Sequence, residues 1–382
     1  MNVRVLVVDD SAAFGRVMKQ ALESIPGVEV AGVCRTGARA LDQMRAEPPD
    51  LVTLDIEMPN MNGLDVLQTM RREQLKVAAI MVSAASDHAR DLTMRALQLG
   101  ALDFIPKPQG EGAEENLEAL RQSLAPLLGA AIHRKEVQTI LHGPGKAVFN
   151  GLSSPAASRP VEEYGKRPVS LPTASGEEIA CNVRPRPRVR RTKPAMVLIG
   201  VSTGGPDALG RVIPALPGTL RVPVLIVQHM PPLFTETLAR TLDSSSALRV
   251  KEAKDREIAL PGGVYLAPGG KHMKVMAGPR GEIVLRITAD PPENNCRPAV
   301  DVLFRSAAAA FPGLSVAVIL TGMGRDGTLG LRDLRAAGVV SIAQDEFSCT
   351  VFGMPKEAIQ AGLVDIVSPL ASIASEIVKA VC

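Results

Sequence analysis

The chain has 382 residues, of which 46% are hydrophobic and 22% are charged, and its formal net charge is +3. This composition is typical of a globular protein, and a chain of this length exceeds the size at which one hydrophobic core stops growing, so we expect two domains. The sequence shows no signal-peptide pattern, no apolar run of about 18 residues and no Cys-x-x-Cys spacing, which excludes a membrane span, a disulfide framework and a zinc site from the prediction. We expect a cytoplasmic protein.

The first 128 residues alternate strand-like and helix-like segments. Apolar, β-branched runs predict five strands, and amphipathic stretches such as 36–47 separate them; the runs lie at 3–10, 28–34, 51–55, 77–83 and 102–107. Five such units predict a doubly wound parallel α/β sheet of the flavodoxin-like class. The functional crevice of such a sheet lies beyond the carboxyl ends of its strands.

Polar residues stand at these strand ends. Asp9 and Asp10 end the first strand, Asp55 ends the third, Ser83 ends the fourth, and Lys107 follows the fifth. A cluster of acids invites a hard cation such as Mg²⁺. With the cation and Lys107 offsetting the charge, Asp55 can accept a phosphoryl group, because carboxylates form acyl phosphates. Each acid alone is more often a helix cap, but five polar groups at one crevice favour a phosphorylation site.

This segment resembles the receiver domain of two-component response regulators over essentially its whole length. The match is carried by the acidic pair, 55-DIEMPNMNG-63, Ser83, Phe104 and 106-PKP-108. The resemblance implies that Asp55 takes phosphate from a histidine kinase. It also implies Mg²⁺ held by Asp10, Asp55 and the backbone carbonyl of Glu57, with Asp9 nearby, and a switch formed by Ser83, Phe104 and Lys107.

A basic segment follows the first domain. Residues 134–194 carry twelve Lys/Arg against five Asp/Glu and are rich in Pro, Ser and Gly, which predicts a flexible linker. We place the linker at 129–194, between a receiver domain at 1–128 and a second domain at 195–382. Clustered arginines can also contact nucleic acid or an acidic partner, but a solvated tether is the simpler interpretation.

The second domain begins a new α/β series. The apolar runs VLIG from 197, VLIVQ from 224 and VAVILTG from 316 predict central strands that are buried on both faces, as in a parallel sheet. Further strand-like segments of the same series lie at 262–275 and 282–287. Polar or glycine-rich residues follow each of the central runs.

A glycine-rich turn after the first of these strands carries Ser202. The turn fits a nucleophile elbow, and it fits equally an anion-binding helix N-terminus. His229 and Asp326 follow two other strands, so all three residues are expected at one edge of the sheet. A serine, a histidine base and a carboxylate that orients the histidine suffice for acyl transfer. The chain order Ser, His, Asp differs from the order in α/β-hydrolases and argues against that fold family. An oxyanion hole needs backbone N–H donors, and the nearby loop 321–327 can supply one from Met323.

The second domain resembles the catalytic domain of the chemotaxis protein-glutamate methylesterases (CheB type) over all of its length. The matching segments are 200-GVSTGGPDAL-209, 228-QHMPPLFT-235, 267-APGGKHM-273, 297-RPAVDVLF-304, 320-LTGMGRDG-327 and 352-FGMPKEAI-359. The resemblance implies a doubly wound parallel α/β hydrolytic domain, without a cofactor, in which Ser202 attacks, His229 is the general base and Asp326 orients it. Thr203, Met323 and His272 are expected to line the site, although a packing role stays open for His272.

By this resemblance the protein demethylates glutamate γ-methyl esters on the cytoplasmic helices of chemoreceptors, and the same chemistry allows deamidation of glutamines. The unphosphorylated receiver is expected to cover the cleft. One alternative is a phosphorylation-switched binding module with an inactive second domain, and another is a regulator that binds DNA through the basic linker. The DNA alternative lacks a helix-turn-helix pattern, so neither a specific nucleic-acid partner nor membrane insertion is expected.

Overall fold

The structure of the protein is a computed structural model that describes residues 2–84, 86–108, 110, 112–142 and 193–381. Most of the predicted linker, residues 143–192, lies outside these ranges. Within them, none of the helices combines the length and the apolar character that crossing a membrane requires.

The N-terminal domain is a five-stranded parallel sheet with helices on both faces. Its strands are β1 (Val3–Val8), β2 (Val28–Cys34), β3 (Leu51–Asp55), β4 (Ala78–Ser83) and β5 (Asp103–Pro106). Its helices are α1 (Ala12–Glu23), α2 (Gly37–Ala46), α3 (Gly63–Arg72), α4 (Asp87–Gln98) and α5 (Ala113–His142). The strand order β2-β1-β3-β4-β5 reverses at β1, which is the switch point of a doubly wound sheet, so the predicted fold class is confirmed.

The central strand β1 shows why these strands read as continuous apolar runs. Val5 and Val7 pack in the cluster that includes α1 and α5, whereas Leu6 and Val8 pack in the cluster that includes α2, α3 and α4. Successive side chains of a strand point to opposite faces, so a strand between two helical layers needs apolar residues on both of its faces.

Side-chain caps fix where the helices of this domain begin. Ser11 and Ser86 each accept a hydrogen bond from the backbone three residues ahead, and Asn62 forms a reciprocal capping box with Asp65. These caps end the loops that follow β1, β3 and β4. The same loops carry the polar residues of the predicted phosphorylation site.

The last helix of this domain corrects the predicted start of the linker. We expected the linker from residue 129, but α5 continues to His142. Residues 127–142 are mostly good helix formers, and their basic side chains made the segment resemble the linker that follows. Ile132 is partly buried against the receiver core and lies over Gly27, which attaches the extension to the domain.

The C-terminal domain is built on a seven-stranded parallel sheet. Its strands are β6 (Met196–Val201), β7 (Val224–Gln228), β8 (Arg249–Glu252), β10 (Gly263–Leu266), β13 (Ser315–Ile319), β14 (Val340–Gln344) and β15 (Ile366–Ser368). Its helices are α6 (Gly205–Val212), α7 (Phe234–Ser245), α8 (Val300–Ala310), α9 (Thr328–Ala336), α10 (Met354–Gln360) and α11 (Leu370–Val381). The order β15-β14-β13-β6-β7-β10-β8 places the three predicted central strands side by side, in agreement with the predicted parallel α/β fold.

A small antiparallel sheet was not predicted. Its strands are β9 (Glu257–Ile258), β11 (His272–Ala277) and β12 (Ile283–Thr288), in the order β11-β12-β9. We had placed the segments 262–275 and 282–287 in the parallel series, and only β10 belongs there. Five residues separate β11 from β12, which is enough for a hairpin turn but too few for the crossover that parallel strands require.

Replacing Phe304 by Ala should destabilise the C-terminal domain. Phe304 is a large, fully buried side chain on α8, so its loss leaves a cavity and should lower the free energy of unfolding by about 3–5 kcal/mol. Phe347 is 98% exposed, and Phe347→Ala is the matched control with an expected change within about 0.5 kcal/mol. Denaturant unfolding of both variants tests this, and equal shifts in their midpoints would contradict the assigned core.

Candidate functional site

Three neighbouring strand ends bring the predicted triad residues together. Ser202 follows β6, His229 follows β7, and Asp326 lies in the loop between β13 and α9. Backbone hydrogen bonds tie these segments together, because Ser202 N donates to Thr321 O over 3.0 Å and His229 N donates to Val201 O over 3.1 Å. All three residues therefore lie at the carboxyl edge of the parallel sheet.

The turn that carries Ser202 depends on glycine. Gly204 has a φ of 75°, in the left-handed region, and a Cβ at this position would lie 2.4 Å from Thr350. Glycine meets both demands because it has no side chain. Since α6 begins at Gly205, the chain turns within three residues and leaves Ser202 half-buried at the tip, as in a nucleophile elbow.

Asp326 is a buried carboxylate with many donors. One oxygen, Oδ2, contacts His229 Nε2 at 2.7 Å and accepts from Val300 N at 2.6 Å. The other oxygen, Oδ1, accepts from the backbone N–H groups of Asp301 and Gly327. Burial raises the pKa of Asp326, but the His229 and backbone hydrogen bonds outweigh burial and hold it below its ordinary value, so the carboxylate is ionised at neutral pH.

The second ring nitrogen of His229 faces a cysteine. Cys296 Sγ lies 3.7 Å from His229 Nδ1, and both residues are partly exposed. Burial lowers the pKa of His229, but its hydrogen bonds to Asp326 and Cys296 raise it to about 9. Sequence reasoning missed Cys296, because a single cysteine without a spaced partner gives no recognisable signal.

Ser202 and His229 are close in the fold but are not joined by a hydrogen bond. Across the part of the chain that the structure describes, the Ser202 hydroxyl has no hydrogen-bond partner. Since Asp326 occupies Nε2, Nδ1 is the nitrogen left to accept a proton from Ser202. Catalytic hydrogen bonds often form only when substrate is bound.

The loop 321–324 packs directly on the serine. A Cβ at Gly322 would lie 2.8 Å from Ser202 Cβ, so only glycine permits this approach. The Met323 N–H makes no hydrogen bond among the described residues, which leaves it available to a substrate oxygen. Thr203 is buried beside Ser202, and its carbonyl accepts a hydrogen bond from the Thr321 hydroxyl at 3.0 Å.

His272 has a supporting position. Its ring is fully buried, with Nε2 3.0 Å from Pro291 O and Nδ1 accepting from Ala299 N at 3.2 Å. The ring therefore holds the segment that leads into α8, and both of its nitrogens are occupied. Its predicted place in the wall of the catalytic site stays a prediction.

The His229, Cys296 and Asp326 side chains are close enough for their ligand atoms to meet one metal ion, since these atoms lie within 4.8 Å of one another. Asp326, however, already uses both oxygens as acceptors from His229 and from backbone amides. A metal bound there would have to displace these donors. The contacts of Asp326 fit an oriented histidine better than a metal site.

The receiver domain gathers its predicted residues around Asp55. Lys107 Nζ donates to Asp55 Oδ2 at 2.7 Å and lies 3.0 Å from Asp9 Oδ2. Burial raises the pKa of Asp55 to about 6, although Lys107 lowers it. Ser83 is fully buried and accepts a hydrogen bond from the Thr93 hydroxyl at 2.8 Å.

The acidic residues of the receiver fit a divalent cation. Asp9, Asp10 and Asp55 each offer an oxygen, and these oxygens lie within 4.8 Å of one another. The buried Asp9 Oδ2 accepts no hydrogen bond of good geometry and has the Lys107 ammonium 3.0 Å away, so a cation could take it as a ligand if Lys107 shifts. A cavity of about 460 Å³ adjoins these acids and is lined by Asp10 and Glu57. Carboxylate and carbonyl oxygens of this kind are the ligands that Mg²⁺ prefers.

The receiver lies on the catalytic domain beside Ser202. The rings of Phe104 and Phe234 are 4.4 Å apart between centroids, and α4 packs against α6 and α7. Burial raises the pKa of Asp103 to about 6, although the Phe104 N–H and the neighbouring Thr203 side chain lower it. Arg240 and Asp91 add an exposed ion pair at 3.7 Å. The β5 and α4 face of the receiver therefore contacts the residue next to the candidate nucleophile.

Comparison with known proteins matches both halves of the chain. The model of the response regulator receiver domain matches residues 5–120, and that of the CheB methylesterase matches residues 197–377. The protein-glutamate methylesterase/protein-glutamine glutaminase of Desulfotalea psychrophila is 45% identical, and the match covers 100% of this chain and 99% of that protein. The protein of the same name from Bacillus subtilis is 41% identical, with 99% and 98% covered.

Among solved structures, the CheB methylesterase catalytic domain of Thermotoga maritima is 44% identical to the matched region. The match covers 49% of this chain and 99% of that chain, with a TM-score of 0.48. The family model at 197–377 fills most of the second domain, which argues against the DNA-binding alternative.

Replacing Cys296 by Ala should lower the pKa of His229. The wild-type imidazole is expected to titrate at about 9, and the loss of one of the two groups that raise this value should move it toward the ordinary value of about 6.5. NMR titration of histidine-labelled protein measures the change. Cys34→Ala, in the receiver, is the matched control, and an equal shift in both variants would contradict the contact.

Proposed function

Because this chain belongs to the family of protein-glutamate methylesterases/protein-glutamine glutaminases, we propose that it is a serine hydrolase that demethylates glutamate γ-methyl esters of chemoreceptors. Deamidation of glutamines is its proposed second activity. The observation that carries the proposal is the 2.7 Å contact between His229 Nε2 and Asp326 Oδ2, beside the turn that bears Ser202. An oriented histidine next to a serine at a strand-to-helix turn is the arrangement that activates a hydroxyl.

In the proposed first half-reaction, Ser202 Oγ attacks the ester carbonyl carbon and its proton passes to His229 Nδ1. Asp326 stabilises the imidazolium through Nε2. The bond from carbon to the methoxy oxygen then breaks, and His229 returns the proton to that oxygen, so that methanol leaves and an acyl-serine remains. Cys296 must release Nδ1 before attack, because a protonated imidazole with a pKa of about 9 is a poor base at pH 7.

In the second half-reaction, water attacks the acyl-serine while His229 Nδ1 takes its proton. The carbon–oxygen bond to Ser202 breaks, His229 protonates Ser202 Oγ, and a free glutamate side chain is left. An amide substrate would follow the same steps and release ammonia. We assign the Met323 N–H as a donor to the oxyanion of both tetrahedral intermediates, because it is free of other hydrogen bonds in the described residues and its loop packs on Ser202.

For the receiver, we propose that Asp55 accepts a phosphoryl group from a histidine kinase. Mg²⁺, held by Asp10, Asp55 and the carbonyl of Glu57 with Asp9 nearby, would offset the charge on the transferred group. Lys107 contacts Asp55 Oδ2 in the resting chain, so a phosphoryl group on Asp55 gives its ammonium a new partner. Lys107 directly follows β5, the strand that carries Phe104 and Asp103.

This placement supports a proposal for control of the hydrolase. In the unphosphorylated protein, Phe104 and Asp103 contact Phe234 and Thr203, so a receptor helix has no free approach to Ser202 from that side. Phosphorylation at Asp55 would weaken these contacts through Lys107 and β5. The interface consists of the packing of α4 against α6 and α7, the Phe104–Phe234 ring pair and one exposed ion pair, and phosphorylation would release it by favouring the open form through a modest coupling energy.

Ser202→Ala should abolish hydrolysis while leaving the receiver intact. Loss of a triad nucleophile lowers turnover by roughly 10³- to 10⁶-fold, because the triad acts as a unit. Methanol release from methylated receptor measures the effect, and phosphate incorporation at Asp55 should be unchanged. Ser244→Ala, on the exposed surface of α7, is the matched control. A Ser202→Ala protein with near-normal turnover would exclude the assigned nucleophile.

Asp55→Asn should hold the enzyme at its low, unphosphorylated rate when a small phosphodonor and Mg²⁺ are added. The amide is neither a phosphoryl acceptor nor a good ligand for Mg²⁺. Adding Phe234→Ala to this variant should raise the rate without phosphate, within roughly 5- to 150-fold, because it removes half of the ring pair at the interface.

Arg240→Ala in the Asp55→Asn background is the control for this release. It removes an exposed ion pair of the same interface, and such pairs contribute little to stability. If Phe234→Ala raises the rate no more than Arg240→Ala does, the receiver does not inhibit through this contact.

A further inference from the structure

A short turn before α8, residues 293–296, contacts Asp326 and His229. It lies just before the motif at 297–304 and belongs to none of the matching segments. Glu293 and Cys296 exchange backbone hydrogen bonds of 3.1 Å and 2.8 Å, which closes the turn around Asn294 and Asn295. The Glu293 side chain is anchored by two hydrogen bonds from Arg305 on α8. The turn is therefore fixed at its base.

Both residues at the tip of this turn have left-handed backbone. The φ angle is 53° at Asn294 and 59° at Asn295. Asparagine tolerates this region better than other residues with a side chain, and glycine adopts it freely. Backbone strain is thus not the reason for an amide side chain at either position, since glycine would serve as well.

The Asn294 side chain reaches two carboxylates. Its Nδ2 donates to Asp326 Oδ1 at 2.9 Å and to Asp301 Oδ2 at 2.9 Å. Both acceptors are carboxylate oxygens, so the contacts require the NH₂ group of the amide at this position, with one N–H for each carboxylate. In contrast, the Asn295 side chain makes no hydrogen bond within the described residues.

The two carboxylates that Asn294 joins are both buried. Asp301 is 1% exposed and Asp326 is 3% exposed. Burial raises the pKa of Asp301 to about 6, and the negative charge of Asp326 adds to this rise, whereas the Gly330 N–H lowers it. Two buried carboxylates that are close enough to accept hydrogen bonds from one amide group repel each other, and donors between them reduce this repulsion. Asn294 supplies a donor to each without adding a charge.

We propose that Asn294 is a positioning residue of the hydrolase, which rests on the proposed role of the triad. By holding Asp326 Oδ1, it keeps Oδ2 directed at His229. It also withdraws charge from Asp326, which limits the basicity that the carboxylate imposes on the imidazole. Without this donor, His229 should be less well oriented and its pKa should rise further.

The test compares Asn294→Gly with Asn295→Gly in the full chain. Each variant keeps the left-handed backbone, and only the first removes hydrogen bonds to the triad carboxylate. For Asn294→Gly we expect kcat on methylated receptor, in the presence of phosphodonor, to fall roughly 10- to 100-fold with KM little changed. The His229 titration, followed by NMR, should move above its wild-type value. Asn295→Gly should match wild type in both.

A second variant separates loss of a donor from loss of structure. Asn294→Asp keeps the size and backbone tolerance of the residue but puts an acceptor where a donor is required, so it should lower kcat more than Asn294→Gly does. Wild-type kcat in Asn294→Gly would overturn the proposal, and so would a lower kcat with an unchanged His229 titration. If wild type itself hydrolyses no receptor ester, the proposed function fails, and the His229 titration still decides whether Asn294 acts on Asp326.

Discussion

The arrangement of the hydrolase domain depends on one buried negative charge. A carboxylate that is 3% exposed stays ionised only if donors replace the water that it has lost. Asp326 takes these donors from the amide groups at the start of α8, from Gly327 before α9 and from Asn294 in the preceding turn. The requirement for these donors therefore fixes the relative positions of two helices and a turn around His229. The hydrogen bonds that stabilise the Asp326 carboxylate therefore also position the residues of the candidate site.

The proposed phosphoryl acceptor of the receiver, Asp55, follows the opposite principle. Asp55 is as buried as Asp326, but within the described residues only Lys107 and, weakly, the Glu57 N–H donate to its carboxylate, and burial raises its pKa to about 6. A carboxylate with so few donors retains lone pairs for a cation and for a phosphoryl group. The different roles proposed for the two aspartates thus follow from their donors, because the oxygens of Asp326 are saturated with hydrogen bonds and those of Asp55 are not.

Much of the fold and of the candidate site could be predicted from the sequence. Polar residues at strand ends converge in any parallel sheet, which is why the sequence predicts Ser202, His229 and Asp326 at one sheet edge, where they lie. Their catalytic roles stay a proposal, and the family resemblance is confirmed. The antiparallel pairing of β11 with β12 was missed because the prediction joined β10 and β11 in one strand-like segment at 262–275, although the five residues before β12 are too few for a parallel crossover. Asn294 and Cys296 could not be predicted, because their contacts with Asp326 and His229 depend on the backbone angles of a turn, and the spacing of residues in the sequence does not reveal these angles.

The same strand that holds the receiver on the hydrolase also ends at the proposed phosphorylation site. Asp103 and Phe104 of β5 contact Thr203 and Phe234, and Lys107, one residue beyond β5, binds Asp55. Lys107 is therefore only three or four residues from the interface along one strand, so a new partner for Lys107 can displace the interface residues directly. Because Asp103 and Phe104 lie at the interface, we propose that a displacement at that strand end shifts the balance between covered and open forms. The short path favours graded control, since no large rearrangement of either core is required.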